Sequence, residues 1–168
     1  MRFFFFILII FFYSNNLSAN ENINYVDVDS LLKNSNKGKI ILSSLNELET
    51  KNKNDLMNKE NEIKTLDDEI KNLEKIISQD ELQKKIDNLK NKINSYQKYK
   101  KDLSNEFFQI RKQKIENFFK RIAPIIENYM KENAINIVLD KKNIFIANSN
   151  YDITSELIKI INKQNLND

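Results

Sequence analysis

The sequence predicts a mainly α protein with a small β base, in which a long antiparallel helical hairpin forms an arm. Three observations carry this. The chain has one glycine, Gly38, and one proline, Pro124, so the 85 residues between them hold neither breaker. Two runs of a/d hydrophobic spacing occupy that stretch and are out of phase with each other. Short segments of strand character flank it on both sides.

The first seven-residue seam places Leu56, Ile63, Ile70 and Ile77 at one position and Leu66 and Leu73 at the other, with Leu42 and Leu45 in the same phase upstream. Continued past Ile77, it would bury Asp80, Lys84, Asp87 and Asn91. The register must therefore break. A second seam begins at once with Leu82, Ile86, Leu89, Ile93, Tyr96, Leu103, Phe107 and Ile110. At the break, Ser78-Gln79-Asp80-Glu81 is a capping box, with Ser78 accepting from the Glu81 amide and Glu81 reaching back, and Ile77 and Leu82 at the staple positions. This places a tight turn at about residues 77–80, and such a turn makes the two helices antiparallel neighbours. Pairing from Leu45 to the turn gives an arm roughly 50 Å long at about 1.5 Å per residue.

Polar residues interrupt both seams: Glu49, Asn52 and Lys59 in the first helix, Lys100 and Lys114 in the second. They predict a loosely packed arm able to bend or splay; the alternative is that the lysine stems snorkel outward. Pro124, inside the pattern Phe118, Phe119, Ile122, Ile125, Ile126, Tyr129, predicts a kink or helix restart near residues 120–124.

Strand character is found at Ile23–Val28, Ile135–Leu139 and Ile144–Ala147, the last two joined by the polar turn Asp140-Lys141-Lys142-Asn143. A final helix is predicted from Asp152 or Thr154 to about Lys163. The expected organisation is a leader at 1–19, a base from 20–44 and 115–168, and an arm from 45–114. Three short strands and one helix make a meagre core with open edges, which oligomerisation would remedy. The candidate oligomer surface is Ile23, Tyr25, Val26, Val28, Ile137, Leu139, Ile144 and Ile146. Phe107, Phe108, Phe118 and Phe119 are candidates for contact with a client protein, with a place in the core as the alternative.

The leader rests on Phe3–Tyr13, an apolar run behind Arg2 and ahead of Leu17-Ser18-Ala19. This is the layout of a secretory signal cut after Ala19, and the run is short for a membrane span. Leu17 is bulkier than the usual residue three places before a cut, and the alternative is an uncleaved anchor. With no cysteine and no histidine, the chain has no disulfide, no thiolate or imidazole metal ligand, and no Ser-His-Asp or Cys-His triad. Gly38-Lys39-Ile40 lacks the rest of a phosphate loop. The expectation is a non-enzyme without cofactors. Asp27 and Asp29 could pair for acid-base work or a divalent cation, but Asp29-Ser30 reads more simply as a helix start. A balance of 27 basic and 24 acidic residues, net +3, gives no reason to expect nucleic acid. Lysine outnumbers arginine 24 to 3, as codon bias in an AT-rich genome would produce.

Ile23 to Leu32 at the front and Ile137 to Leu157 at the back are two segments that resemble the Skp (OmpH-like) family of periplasmic chaperones. Ile23-Asn24-Tyr25-Val26-Asp27-Val28-Asp29-Ser30-Leu31-Leu32 is similar to that family's first strand and short helix. Ile137-Val138-Leu139-Asp140, then Ile144-Phe145-Ile146-Ala147, then Asp152-Ile153-Thr154 and Leu157 resemble its strand hairpin and closing helix. The resemblance implies a periplasmic homotrimer with a barrel-like β base and three arms enclosing a cavity. Unfolded outer-membrane proteins would be held there without ATP, with at most weak association with membrane surfaces. Pro124 and the small net charge depart from the family pattern. A structural coiled-coil spacer or tether of the cell envelope is the competing reading.

Overall fold

The structure, a computed structural model, describes residues 22–164. The predicted signal segment and its cleavage site lie outside the described residues. The element order is β1 (Ile23–Val26), α1 (Val28–Asn34), α2 (Asn36–Leu73), α3 (Gln79–Glu132), β2 (Ile137–Asp140) and α4 (Thr154–Lys163), with single 3-10 turns at Lys141–Asn143 and Ser149–Tyr151.

Asp27 caps α1 by accepting the Ser30 amide at 2.8 Å, so the helix starts two residues earlier than Asp29-Ser30 suggested. Ser35 then ends α1 and caps α2, its hydroxyl accepting the Gly38 amide at 3.2 Å. Gly38 lies hard against the main chain of α1. A Cβ there would lie 2.7 Å from the Leu32 carbonyl carbon, closer still to its oxygen, and 2.8 Å from Ser35 Oγ.

Helices α2 and α3 pack along their length as the arm, with 38 and 54 residues, or about 57 and 81 Å at 1.5 Å per residue. The capping box is present as read: the Glu81 amide donates to Ser78 Oγ at 3.3 Å and the Ser78 amide to Glu81 Oε2 at 3.4 Å. The first helix nevertheless ends at Leu73, so the turn occupies 74–78 and Ile77 belongs to it. Carbonyl groups near the end of α2 are satisfied locally, Leu73 accepting from the amides of Ile76 and Ile77.

Pro124 neither ends nor restarts α3, which runs unbroken through it. Pro124 and Lys120, whose carbonyl loses its helical partner, are both exposed while Ile122 and Ile125 are buried. Water can therefore satisfy the freed carbonyl, and the helix tolerates the ring on its outer face.

The base core joins segments from the whole chain. Val26, Leu31, Phe118, Ile122, Ile125, Ile135, Ile153, Leu157 and Ile161 form one buried cluster. Strands β1 and β2 are parallel, with Ile23 opposite Ile137 and Tyr25 opposite Leu139. Parallel neighbours need a crossover connection, and here the entire helical hairpin supplies it. The predicted third strand does not form within the chain: Ile144–Ala147 is irregular, with a bend at Phe145 and no strand partner among the described residues, and the expected hairpin turn is a 3-10 turn. Strand β1 has no free side to offer it. One edge of β1 holds β2, and at the other Tyr25 bridges Asp152 while the Ile153 amide donates to the Tyr25 carbonyl at 3.0 Å.

Candidate functional site

The two terminal segments singled out in the sequence interlock. The Asp27 amide donates to Thr154 Oγ1 at 2.8 Å. The Asp152 carboxylate accepts from the Thr154 amide at 3.0 Å, from the Thr154 hydroxyl, and from Lys141 Nζ at 3.3 Å. Burial by itself would raise the Asp152 carboxyl, but these donors outweigh it and hold the group below the usual carboxylate range. Asp27 is held low chiefly by the Ser30 backbone hydrogen bond. Lys141 is raised by its hydrogen bond to Asp152, and Lys142 by its hydrogen bond to Asp140. The pattern Asp-x-Thr is a local side-chain turn, and the Thr154 hydroxyl ties the last helix to the end of the first strand.

Beyond this lock lies an apolar surface. Register places Ile23, Tyr25, Ile137 and Leu139 on one face of the strand pair. Ile23, Ile137 and Leu139 are 37–44 % exposed, whereas Tyr25 is buried, with Lys141 Nζ 5.9 Å from its ring centroid. Val26 points into the core and Val28 packs against it, so these two are not surface groups. The loop between Lys141 and Asp152 is closed at its ends by their ion pair. It carries half-buried Ile144, then Phe145 and Ile146 at 103 % and 84 % exposure. Phe145 stands outside the candidate surface expected from the sequence, which takes only Ile144 and Ile146 from this run. Four consecutive apolar residues, unbroken by a polar one, were the signal. Among the described residues β2 pairs only with β1, leaving its outer edge open.

The arm presents a different surface. Phe118 is enclosed in the base core, and Phe119 packs against it edge-on with ring centroids 5.1 Å apart, so neither is a free contact surface for a client. Phe108 is 62 % exposed. Phe107 is half-buried and lines an open groove of about 590 Å³ with Leu56, Met57, Tyr96 and Leu103, rimmed by Glu49, Lys53, Glu60 and Lys100. A second groove of about 420 Å³, lined by Ile63, Tyr96 and Tyr99 among others, lies toward the turn. These residues can make many shallow apolar contacts with charged groups close by. No helix among the described residues is long and apolar enough to cross a membrane.

A search of curated proteins finds no significant match. Among solved structures, the fold is similar to the crystal structure of a proposed outer membrane chaperone (OmpH-like) from Caulobacter crescentus CB15. The TM-score is 0.77 at 16 % identity, covering 86 % of this chain and 85 % of that one. The model of the family described as outer membrane protein (OmpH-like) matches residues 22–161, the strands, the arm and most of the closing helix alike. With nearly all of the described chain accounted for by one family, the protein belongs to the OmpH-like family.

Proposed function

We propose that this protein is an ATP-independent holdase of the periplasm, keeping unfolded outer-membrane proteins soluble between helical arms. The observation that carries the reading is the uncovered apolar surface of Ile23, Ile137, Leu139, Phe145 and Ile146 on the same base from which the arm projects. A surface of this kind on a small base calls for association. Three copies joined there, with Ile144–Ala147 of each completing strand pairing with a neighbour, would set three arms around a common cavity.

Family membership supports the chaperone class, and the signal-like leader supports export with cleavage after Ala19. The arm offers grooves mixing apolar floors with charged rims, suited to many weak contacts summed by avidity. Nothing in this mechanism calls for catalysis or a cofactor. Contact with membrane surfaces is at most weak, since the net charge is small.

The test combines two measurements on the mature protein. Its mass and frictional ratio should be those of an elongated trimer, and stoichiometric trimer should suppress aggregation of an unfolded outer-membrane barrel as denaturant is diluted. A trimer that leaves aggregation unchanged rules out the holdase, and an elongated monomer that engages one folded partner favours an envelope spacer.

A further inference from the structure

Readily oxidised side chains are scarce in this chain. It has no cysteine, histidine or tryptophan, and three methionines. Met1 lies ahead of the predicted cut after Ala19, which leaves the thioethers of Met57 and Met130 as the groups that two-electron oxidants attack fastest. The fold treats these two sulfurs differently. Met130 stands in the last turn of α3 and packs against the base core, and its carbonyl accepts the Ile135 amide at 2.9 Å. Met57 is outside that core and 51 % exposed.

Nor does Met57 stand on bare surface. It lines the groove of about 590 Å³ with Leu56, Tyr96, Leu103 and Phe107, one helical turn from Lys53 and Glu60 on the rim. An unbranched thioether suits a shallow open groove, because it turns about several bonds and is readily polarised. The same polarisable lone pair is a nucleophile. Adaptable packing and susceptibility to oxidation therefore reside in one atom.

We propose that Met57 is a reversible oxidation site, at which hydrogen peroxide converts the thioether to a sulfoxide in the folded chain. A sulfur lone pair attacks one peroxide oxygen, and the S–O bond forms as the O–O bond breaks. The second oxygen leaves as water once a proton has shifted to it, so sulfur loses the two electrons that the peroxide gains. Because the side chain already meets water, the polar S–O group is solvated where it forms and the base core is left intact. A reductase supplied with a thiol reaches it for the same reason. While Met57 is oxidised, the groove holds a polar group in place of an apolar one, and its grip on apolar segments weakens. That consequence rests on the holdase reading; the site itself does not.

Peroxide treatment of the mature protein, followed by peptide mass mapping, tests the site. Met57 should take up one oxygen atom at least about fivefold faster than Met130. Protein oxidised at Met57 alone should keep the parent's urea midpoint, and methionine sulfoxide reductase with a thiol should restore its mass. Met57→Leu should abolish the fast uptake, and Met130→Leu should retain it. Met130 oxidised as fast as Met57, a lowered midpoint, or a sulfoxide that the reductase reaches only in denaturant would overturn the proposal. The consequence is read with the unfolded outer-membrane barrel. Met57→Gln and the oxidised protein should need about threefold more trimer than the parent for equal suppression of aggregation, and Met57→Leu no more than the parent. A parent that suppresses nothing sinks the holdase reading and leaves the oxidation site standing; a parent and an oxidised protein that suppress alike sink the consequence.

Discussion

Replacing Gly38 by alanine sets two opposed effects against each other. In a helix, Gly→Ala ordinarily stabilises by roughly 0.5–1 kcal/mol through the entropy of the unfolded chain. Here the new methyl would meet the main-chain carbonyl of Leu32, with the carbonyl carbon at 2.7 Å and Ser35 Oγ at 2.8 Å. The obstructing group is backbone and cannot rotate aside, so α1 must shift against a core in which Leu31 is 1 % exposed. Forcing an extra methyl into a packed contact costs about 1–3 kcal/mol, which exceeds the gain. The expected outcome is a net loss of about 1–2 kcal/mol, read as a lower urea midpoint at unchanged slope. Ser43→Ala, exposed on the same helix, is the control and should stay within about 0.5 kcal/mol of the parent. A Gly38→Ala protein as stable as the parent would refute the claim that close approach, and not chance, keeps the only glycine there.

Thr154→Val removes the acceptor for the Asp27 amide and a donor to Asp152 at a site only 8 % exposed. It should cost about 1–3 kcal/mol in urea unfolding, with Thr154→Ser restoring most of it; equal losses in both variants would point to packing instead. Asp27 and Asp152 are both held below their ordinary values, so the unfolded chain takes up protons first as the pH drops. Their contribution is present above about pH 4, where both are ionised even unfolded, and disappears as the pH falls through their folded values. Urea midpoints measured from pH 7 down to 3 should show that loss, and Asp152→Asn should flatten it; an unchanged profile in the variant would remove Asp152 from the account.

The hairpin was legible because its signals are local. A register break between Ile77 and Leu82 and a capping box spanning four residues need no knowledge of distant neighbours. The end of α2 was less so, since Ile77 fits the first seam's spacing yet serves the turn. Ile144–Ala147 has strand propensity but forms no strand here, because a partner depends on the rest of the fold. Both edges of β1 are taken, one of them by Asp152–Ile153, residues with no strand pattern of their own. The parallel sense of β1 and β2 was equally hidden, because pairing between Ile23 and Ile137 is set by where a long arm returns the chain. At the candidate surface, strand character pointed to Ile23, Ile137 and Leu139, which are exposed. It could not show that Val26 turns inward or that Phe145, between two isoleucines, is the most exposed apolar side chain of the loop.

The lock between the first strand and the last helix also fixes a timetable. The arm rests on contacts that radiate outward from one turn, so it can form as soon as α3 follows α2. The base cannot, for the chemical groups that finish β1, the Ile153 amide and the Thr154 hydroxyl, emerge only after the whole arm. A polypeptide delivered from its N-terminus therefore passes through a stage with a zipped arm and an unfinished foot. Arrival of Asp152-Ile153-Thr154 and the helix behind it marks completion, and a chain cut short before them would keep the arm without the means to anchor it.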